Sequence, residues 1–478
     1  MINRQYAVPG FYGITTEFSY LRCRQRNTTM EKSIIYQMLP RLWGKGKMSS
    51  VDAATLDYIK DLGVDYVWYT GLISHSTGED FVKGEIGSPY AICNYYDVNS
   101  YLADNPEDRF NELDKLVKRT HRHGLKAIID FVPNHVGRNY HDDRGGIPHF
   151  DWYDYDWSDT LKINYSHPDT WETMYRIVRF WAEKGFDGFR CDMVELVPPE
   201  FFQWLISRIK GEFPGIIFIA EVYNKDNYWK YIQETGFDLL YDKSGLYDTV
   251  RSIVRGEGSA RAITWNWQYL QDLQPSMLNF LENHDEQRIA SPWFAGRNDH
   301  FAALAVSALF NNSSFMLYFG QEVGADAAEG CEGRTSIFDL KQPDEIKRLN
   351  ASIHGRKTGT LTAGQAALLE RYRTFLKLAA GPAGKEGLTY DLCWCQNPEN
   401  GFNPDRHFVF IRSTKDKTNP LKSITFLLTT NFGQNEAKIK VSIPDHCIGY
   451  LGLDRKSIPE EMEVTVPPFG AVISNFSV

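Results

Sequence analysis

Apolar residues in this chain gather in short, nearly solid runs: Ser33 to Met38, Val64 to Tyr69, Leu125 to Val132, Phe186 to Asp192, Ile216 to Val222, Phe237 to Tyr241, Met277 to Glu282 and Phe315 to Phe319. Runs of this length without polar alternation predict strands buried on both faces, as in a parallel sheet. Between them lie amphipathic stretches such as Arg109 to His123, Pro168 to Lys184, Pro199 to Phe213 and Asp299 to Phe310. These are long enough for the crossover helices that parallel strands require. Eight runs in this alternation predict an α/β fold, a (β/α)8 TIM barrel.

Two regions depart from the rhythm. From about residue 136 to 166 the chain is rich in Asp, Gly and aromatics with no clear period, which predicts a short excursion between the third strand and its helix. After a last barrel helix at about Gln365 to Ala380, the breaker-rich Gly381-Pro382-Ala383-Gly384-Lys385 marks a boundary. Beyond it, His407 to Arg412, Ser423 to Thr430, Ala437 to Ile443, Met462 to Val466 and Ala471 to Phe476 read as short strands of a C-terminal antiparallel β-sandwich. The expected organisation is an N-terminal arm over 1–29, a barrel over 30–380 and the sandwich over 385–478. The arm shows no periodicity, and Met30 is an alternative natural start.

Charge and composition narrow the partners. The 52 Lys+Arg against 61 Asp+Glu leave a formal charge of -9, which argues against nucleic acid. No apolar run approaches the roughly 18 residues of a membrane span, and the longest, Phe301 to Phe310, reads as a core helix. Met1 to Met30 lacks the basic start, compact apolar stretch and cleavage site of a secretory signal, so the default expectation is cytoplasmic. The seven scattered cysteines suggest reduced thiols. Cys393-Trp394-Cys395 sits in an apolar strand pattern that would send its two thiols to opposite faces, which argues against joint metal ligation.

Three of the runs lead to a carboxylate: Gly188-Phe189-Arg190-Cys191-Asp192, Ile219-Ala220-Glu221-Val222, and Glu282-Asn283-His284-Asp285. Barrel strands deliver side chains to one face at their C-terminal ends, so Asp192, Glu221 and Asp285 are expected to converge. Taken singly, an Asp closing a strand is usually a turn or cap residue. Together, the three suit acetal cleavage, which needs an acid for the leaving oxygen and a carboxylate as nucleophile or water activator. Arg190 would project to the same side as Asp192 and hold it ionised. The apolar approach to Glu221 would raise its pKa toward that of a general acid. His135 and His284 also sit at strand ends and offer neutral donors to sugar hydroxyls.

These residues lie in four short regions that resemble the signatures of the α-amylase family of retaining glycoside hydrolases, glycoside hydrolase family 13. The regions are Asp130-Phe131-Val132-Pro133-Asn134-His135, Gly188 to Asp192, Ala220-Glu221, and Asn283-His284-Asp285. The resemblance covers about residues 33 to 478 and implies a β-sandwich after the barrel. It implies Asp192 as nucleophile, Glu221 as acid/base and Asp285 as the third acid, with Arg190, His135 and His284 around the cleaved sugar. Tyr90 resembles the tyrosine that stacks under that sugar. Glu195 and Tyr223 lie just beyond the strand ends, where leaving-group sugars would bind. No cofactor is required for the chemistry. Relatives often hold a structural calcium through an Asn before the first-region His and a residue four after the nucleophile, which are Asn134 and Leu196 here. Leu196 offers only a carbonyl, which leaves calcium open.

The expected activity is therefore an α-amylase-type retaining hydrolase acting on α-1,4-linked glucans or maltooligosaccharides. An α-glucosidase, an α-glucan transglycosylase or a non-catalytic carbohydrate-binding barrel are the alternatives. Met193, after the nucleophile, leaves the preference between α-1,4 and α-1,6 linkages unsettled. Phe150, Trp152, Tyr153 and Trp157 read equally as a sugar-stacking wall or as the excursion's own mini-core. Arg288 and Arg297 are candidates for the rim of the cleft.

Overall fold

The computed structural model describes residues 30–141, 144–151, 157–328, 330–414 and 424–477. The expected arm over 1–29, and Trp152 and Tyr153 of the aromatic wall, lie outside the described residues. All eight apolar runs form strands: Ile34–Met38, Tyr66–Tyr69, Lys126–Phe131, Gly188–Cys191, Ile217–Ala220, Leu239–Tyr241, Met277–Phe280 and Ser314–Tyr318. Each pairs in parallel with its neighbours in the sequence, and Ile34 opposite Phe315 closes the ring between first and last. The first strand is buried at every position, as expected where helices cover a sheet that closes on itself.

The helices start and stop by local chemistry. Pro168–Glu183 carries its proline in the first turn, where no N–H is missed. Beyond its end, Gly185 takes a φ of +92° to turn the chain back into the fourth strand, a conformation that favours glycine. Ala363–Ala380 opens on a capping box between Thr362 and Gln365.

The apolar helix Phe301–Leu309 explains itself once the second layer is in view. From Ala302 to Leu309 every residue is buried, and just beyond its end the Phe310 ring meets Phe408 at 4.8 Å and Phe410 at 5.2 Å. A helix apolar all round is one with protein on every side, here the barrel and the C-terminal sheet. No helix among the described residues is long and apolar enough to cross a membrane.

The C-terminal region holds a four-stranded antiparallel sheet, ordered Leu388–Asp391, His407–Ser413, Ile424–Asn431, Ala471–Ser477, and a separate hairpin, Ala437–Ser442 with Glu461–Val466. Alternation divides its second strand between two cores. Phe408 and Phe410 join the barrel's cluster, while Val409 and Ile411 pack with Ile439, Val441 and Val464. Cys393–Cys395 is not part of a strand: it forms a turn of 3-10 helix, because Asp391 accepts from the Cys393 N–H at 2.8 Å and bends the chain.

Two smaller sheets stand over the barrel mouth. The excursion forms His135–Gly137, Phe150–Asp151 and Thr160–Ile163 as one antiparallel sheet. An unforeseen hairpin, Ile73–His75 with Ile92–Val98, rises after the second strand, and Tyr90 sits in its connection.

Candidate active site

Arg190, on the fourth strand, is fully buried in the barrel and gathers the acids. Its Nη1 donates to Asp192 Oδ1 at 2.6 Å. Its Nη2 lies 2.8 Å from Glu221 Oε1 without the alignment of a hydrogen bond, and 4.0 Å from Asp285 Oδ2. A fourth carboxylate, Asp130, is 3.7 Å from Nη1. The rings of Trp68, Tyr90 and Tyr241 surround the guanidinium at 5.3 to 5.6 Å, which adds cation–π attraction in place of water. One cation among four acids leaves the mouth with surplus negative charge.

That surplus sets the protonation. Burial pushes the Asp192 carboxyl up, and the charge and hydrogen bond of Arg190 pull it back without overcoming burial. Arg190 thus offsets part of the burial cost of an ionised Asp192. Burial raises Glu221 as well, and Asp192 raises it further. Glu221 in turn favours the charged form of Asp192. The pair therefore places its shared proton on Glu221 and its charge on Asp192. Asp285 shows 35% of its side chain to the cleft. Even so, desolvation by the surrounding barrel and the charge of Glu221 push its carboxyl well up.

Local backbone fixes Glu221. Met193 has φ 45° and ψ 43°, a left-handed conformation uncommon outside glycine, and this turn aims its N–H at Glu221 Oε2, 2.7 Å away. The Tyr223 hydroxyl donates to the other oxygen at 3.0 Å. Glu195 is engaged by the loop beside the cleft. Its carboxylate accepts from Tyr223 N at 2.7 Å, Asn224 N at 3.2 Å and Asn227 Nδ2 at 2.7 Å, so it pins the loop that carries Tyr223.

The histidines are neutral donors. The Gln37 amide nitrogen donates to His284 Nδ1 at 2.8 Å, which leaves the ring proton on Nε2. Nε2 faces Asp285 Oδ2 at 3.1 Å and the Tyr90 oxygen at 2.5 Å. Tyr90 stacks on this ring at 5.1 Å and donates to Asp130 at 3.4 Å. Burial takes the His135 pKa down to about 4, and its Nε2 lies 4.0 Å from Asp192. Trp157 packs on His135 at 5.1 Å, whereas Phe150 packs on Tyr140 at 5.5 Å, inside the excursion.

Three participants escaped the sequence reading. Asp130, pushed up by burial to about 7, accepts from Trp68 Nε1 at 3.0 Å. Its signal was present, since it closes the third strand as Asp192 closes the fourth. Gln37 was legible only as the one polar residue in an otherwise apolar strand, and Trp68 carried no signal at all. Arg288 is not at the rim: it is fully buried and pairs with Glu282 at 2.8 Å. Arg297 pairs with Asp299 at 2.5 Å.

Apart from this cluster, His149, His167 and Asp169 bring one ligand atom each within 4.8 Å of one another, a spacing that can hold a metal ion.

Comparison with known proteins agrees with the geometry. A neopullulanase, Neopullulanase 2 of Thermoactinomyces vulgaris, is 23% identical over 390 residues, 68% of this chain and 63% of that protein. Alpha-amylase MalA of Haloarcula japonica is 28% identical over 317 residues, 62% of this chain and 44% of that protein. The chain thus spans less than two thirds of the length of either. The crystal structure of a noncanonic maltogenic alpha-amylase, AmyB from Thermotoga neapolitana, superposes with a TM-score of 0.70 at 21% identity, covering 94% of this chain and all of that one, a likeness of fold. The family model for the alpha amylase catalytic domain matches residues 44–172 and 149–359. With two thirds of its length matched by that model, this chain belongs to the alpha-amylase family.

Proposed function

We propose that this protein hydrolyses α-1,4-linked glucans, with maltooligosaccharides as working substrates, by double displacement with retention. The observation that carries the reading is the single Arg190 guanidinium shared by Asp192 and Glu221 at the ends of adjacent strands. Sharing one guanidinium keeps the two carboxyls close, and retaining enzymes in general use a separation of about 5–5.5 Å rather than the wider gap that admits a water. The alpha-amylase and neopullulanase names of relatives support the α-glucan class.

In the first step Asp192 attacks the anomeric carbon while Glu221 gives its proton to the glycosidic oxygen, and the bond between that carbon and oxygen breaks. In the second, water attacks the glycosyl-enzyme ester, Glu221 takes the water's proton, and Asp192 leaves as carboxylate. Asp285 and the neutral His135 and His284 hold sugar hydroxyls, and Tyr90 supplies a flat face beneath the ring. Tyr223, 37% exposed beside Glu221, stands on the leaving-group side. Proton NMR of the first-formed sugar tests the reading: the α-anomer is expected, and a β-anomer product sinks it.

For calcium, the buried Oδ1 of Asn134 has no hydrogen-bond partner and is a suitable oxygen donor. Asp159, the buried acid of the excursion, is already neutralised by Lys83 at 3.0 Å. The His149, His167 and Asp169 cluster is rich in nitrogen and suits a zinc-like ion better than calcium.

A further inference from the structure

The two most exposed large aromatics among the described residues, Trp394 at 67% and Trp265 at 63%, line one cavity, together with Tyr450 at 48%. It lies where the helix Arg261–Leu270 meets the C-terminal sheet, and none of the strand-end acids Asp192, Glu221 and Asp285 is in its lining. Its volume of about 570 Å³ falls in the range of small-molecule sites.

One face of the helix is committed to the barrel. Ile263 and Leu270 are buried, and Trp267 packs on Phe310 at 5.2 Å. Arg261, Thr264, Trp265 and Gln268, at i, i+3, i+4 and i+7, share a second face that lines the cavity. Trp265 is therefore exposed on a helix already anchored through its other face.

The cavity walls are tied together. The Thr264 hydroxyl donates to Asp391, Ser259 Oγ donates to Asp405 at 2.6 Å, and Arg406 Nη1 donates to Gly258 O at 3.1 Å. The charged groups of the lining also have partners. Asp391 also accepts from Cys393 N at 2.8 Å, and Arg261 faces Asp405 at 3.4 Å. Beside these the lining presents flat rings and a neutral amide: the two exposed indoles, the Tyr450 ring, 5.6 Å from that of Tyr390, and Gln268.

A preformed concave site with flat rings and hydrogen-bonding groups fits a polyol with apolar ring faces. We propose that this cavity is a second α-glucan-binding site, which holds a substrate chain away from the catalytic mouth. The choice of α-glucan as occupant rests on the proposed function. A second copy of this chain would bury a broad face of about 1,000 Å² or more rather than a pocket of this kind.

The test separates the two readings. Full-length protein carrying Asp192→Asn is run in native gels containing amylopectin, alone and with Trp265→Ala, Trp394→Ala or Trp265→Phe. Protein with Asp192 intact and the same tryptophan changes is assayed for turnover of maltotriose. Each alanine variant is expected to weaken retardation at least about fivefold, and Trp265→Phe to keep most of it, with maltotriose turnover within about twofold of the parent. Retardation unchanged in both alanine variants overturns the site. So does a parallel fall in maltotriose turnover, or a tryptophan-dependent dimer in sedimentation with retardation intact. Tryptophan-dependent retardation without turnover of any α-glucan supports the site and overturns the catalytic reading alone.

Discussion

Arg190 and Arg288 are both fully buried, and both reach carboxylates at the C-terminal end of the barrel. Arg288 donates to Glu282 and to Phe319 O at 2.8 and 2.9 Å, donates to Thr335 Oγ1 at 2.8 Å, and lies over the Tyr318 ring at 4.0 Å. Its partner Glu282 is as buried as itself and also accepts from Ile289 N at 2.5 Å. Here one cation meets one anion in a closed space. Arg190 meets four acids, one of which shows a third of its side chain to the cleft. Burial raises the carboxyls of Glu282 and Glu221 alike, so a shifted proton affinity does not tell structure from chemistry. Charge balance and access do: a surplus of acids beside an opening leaves a proton to exchange with substrate, and a matched pair leaves none.

The contrast can be broken most severely at Asp192. Asp192→Ala is expected to lower turnover of maltoheptaose on the order of 10⁴-fold or more while the melting temperature holds or rises, since one of several crowded acids is removed. A variant that keeps its activity, or one that no longer folds, would erase the distinction. At the matched pair the order reverses. Glu282→Ala strands a buried cation and is expected to cost about 3–5 kcal/mol in denaturant unfolding, with turnover per folded molecule falling far less than for Asp192→Ala.

A smaller effect is expected for Glu195→Ala, which frees the loop carrying Tyr223. Turnover should drop about 10-fold to 100-fold, and the alkaline limb of the pH profile should move as Glu221 loses a fixed donor. An unchanged limb would reduce Glu195 to surface. The mildest change concerns Asp130. Its pKa of about 7 in the fold exceeds the unfolded value, so its carboxyl binds its proton more tightly when folded, and stability falls as pH rises from about 4 to 7. Asp130→Asn does not titrate, so its melting temperature should gain on the parent as pH rises through that window. A constant difference between the two at pH 5 and pH 8 would contradict this.

Much of the frame was legible because it depends on period and order. Eight solid apolar runs became eight strands, each within a few residues of its expected ends. Asp192, Glu221 and Asp285 meet because the barrel brings its strand ends together whatever lies between them. The positions that misled are those whose partner comes from elsewhere in the chain. Glu195 read as a cleft contact, and its hold on the loop after the fifth strand had no signal in the sequence. Arg288 looked like a rim residue until Glu282 and Phe319 enclosed it. Cys393 to Cys395 had the composition of a strand, but the Asp391 side chain competed for the backbone and made a turn.

By itself the sequence determined the barrel, its β-rich C-terminal layer and the acids at its strand ends, because repeating burial and strand polarity are local properties written into side-chain type. Tertiary structure alone decided how the charge is shared around Arg190, that Asp130 joins the acids, and that Trp265 and Trp394 face one cavity. Those outcomes depend on distances between residues far apart in the chain, and electrostatics and packing act through distance rather than through order.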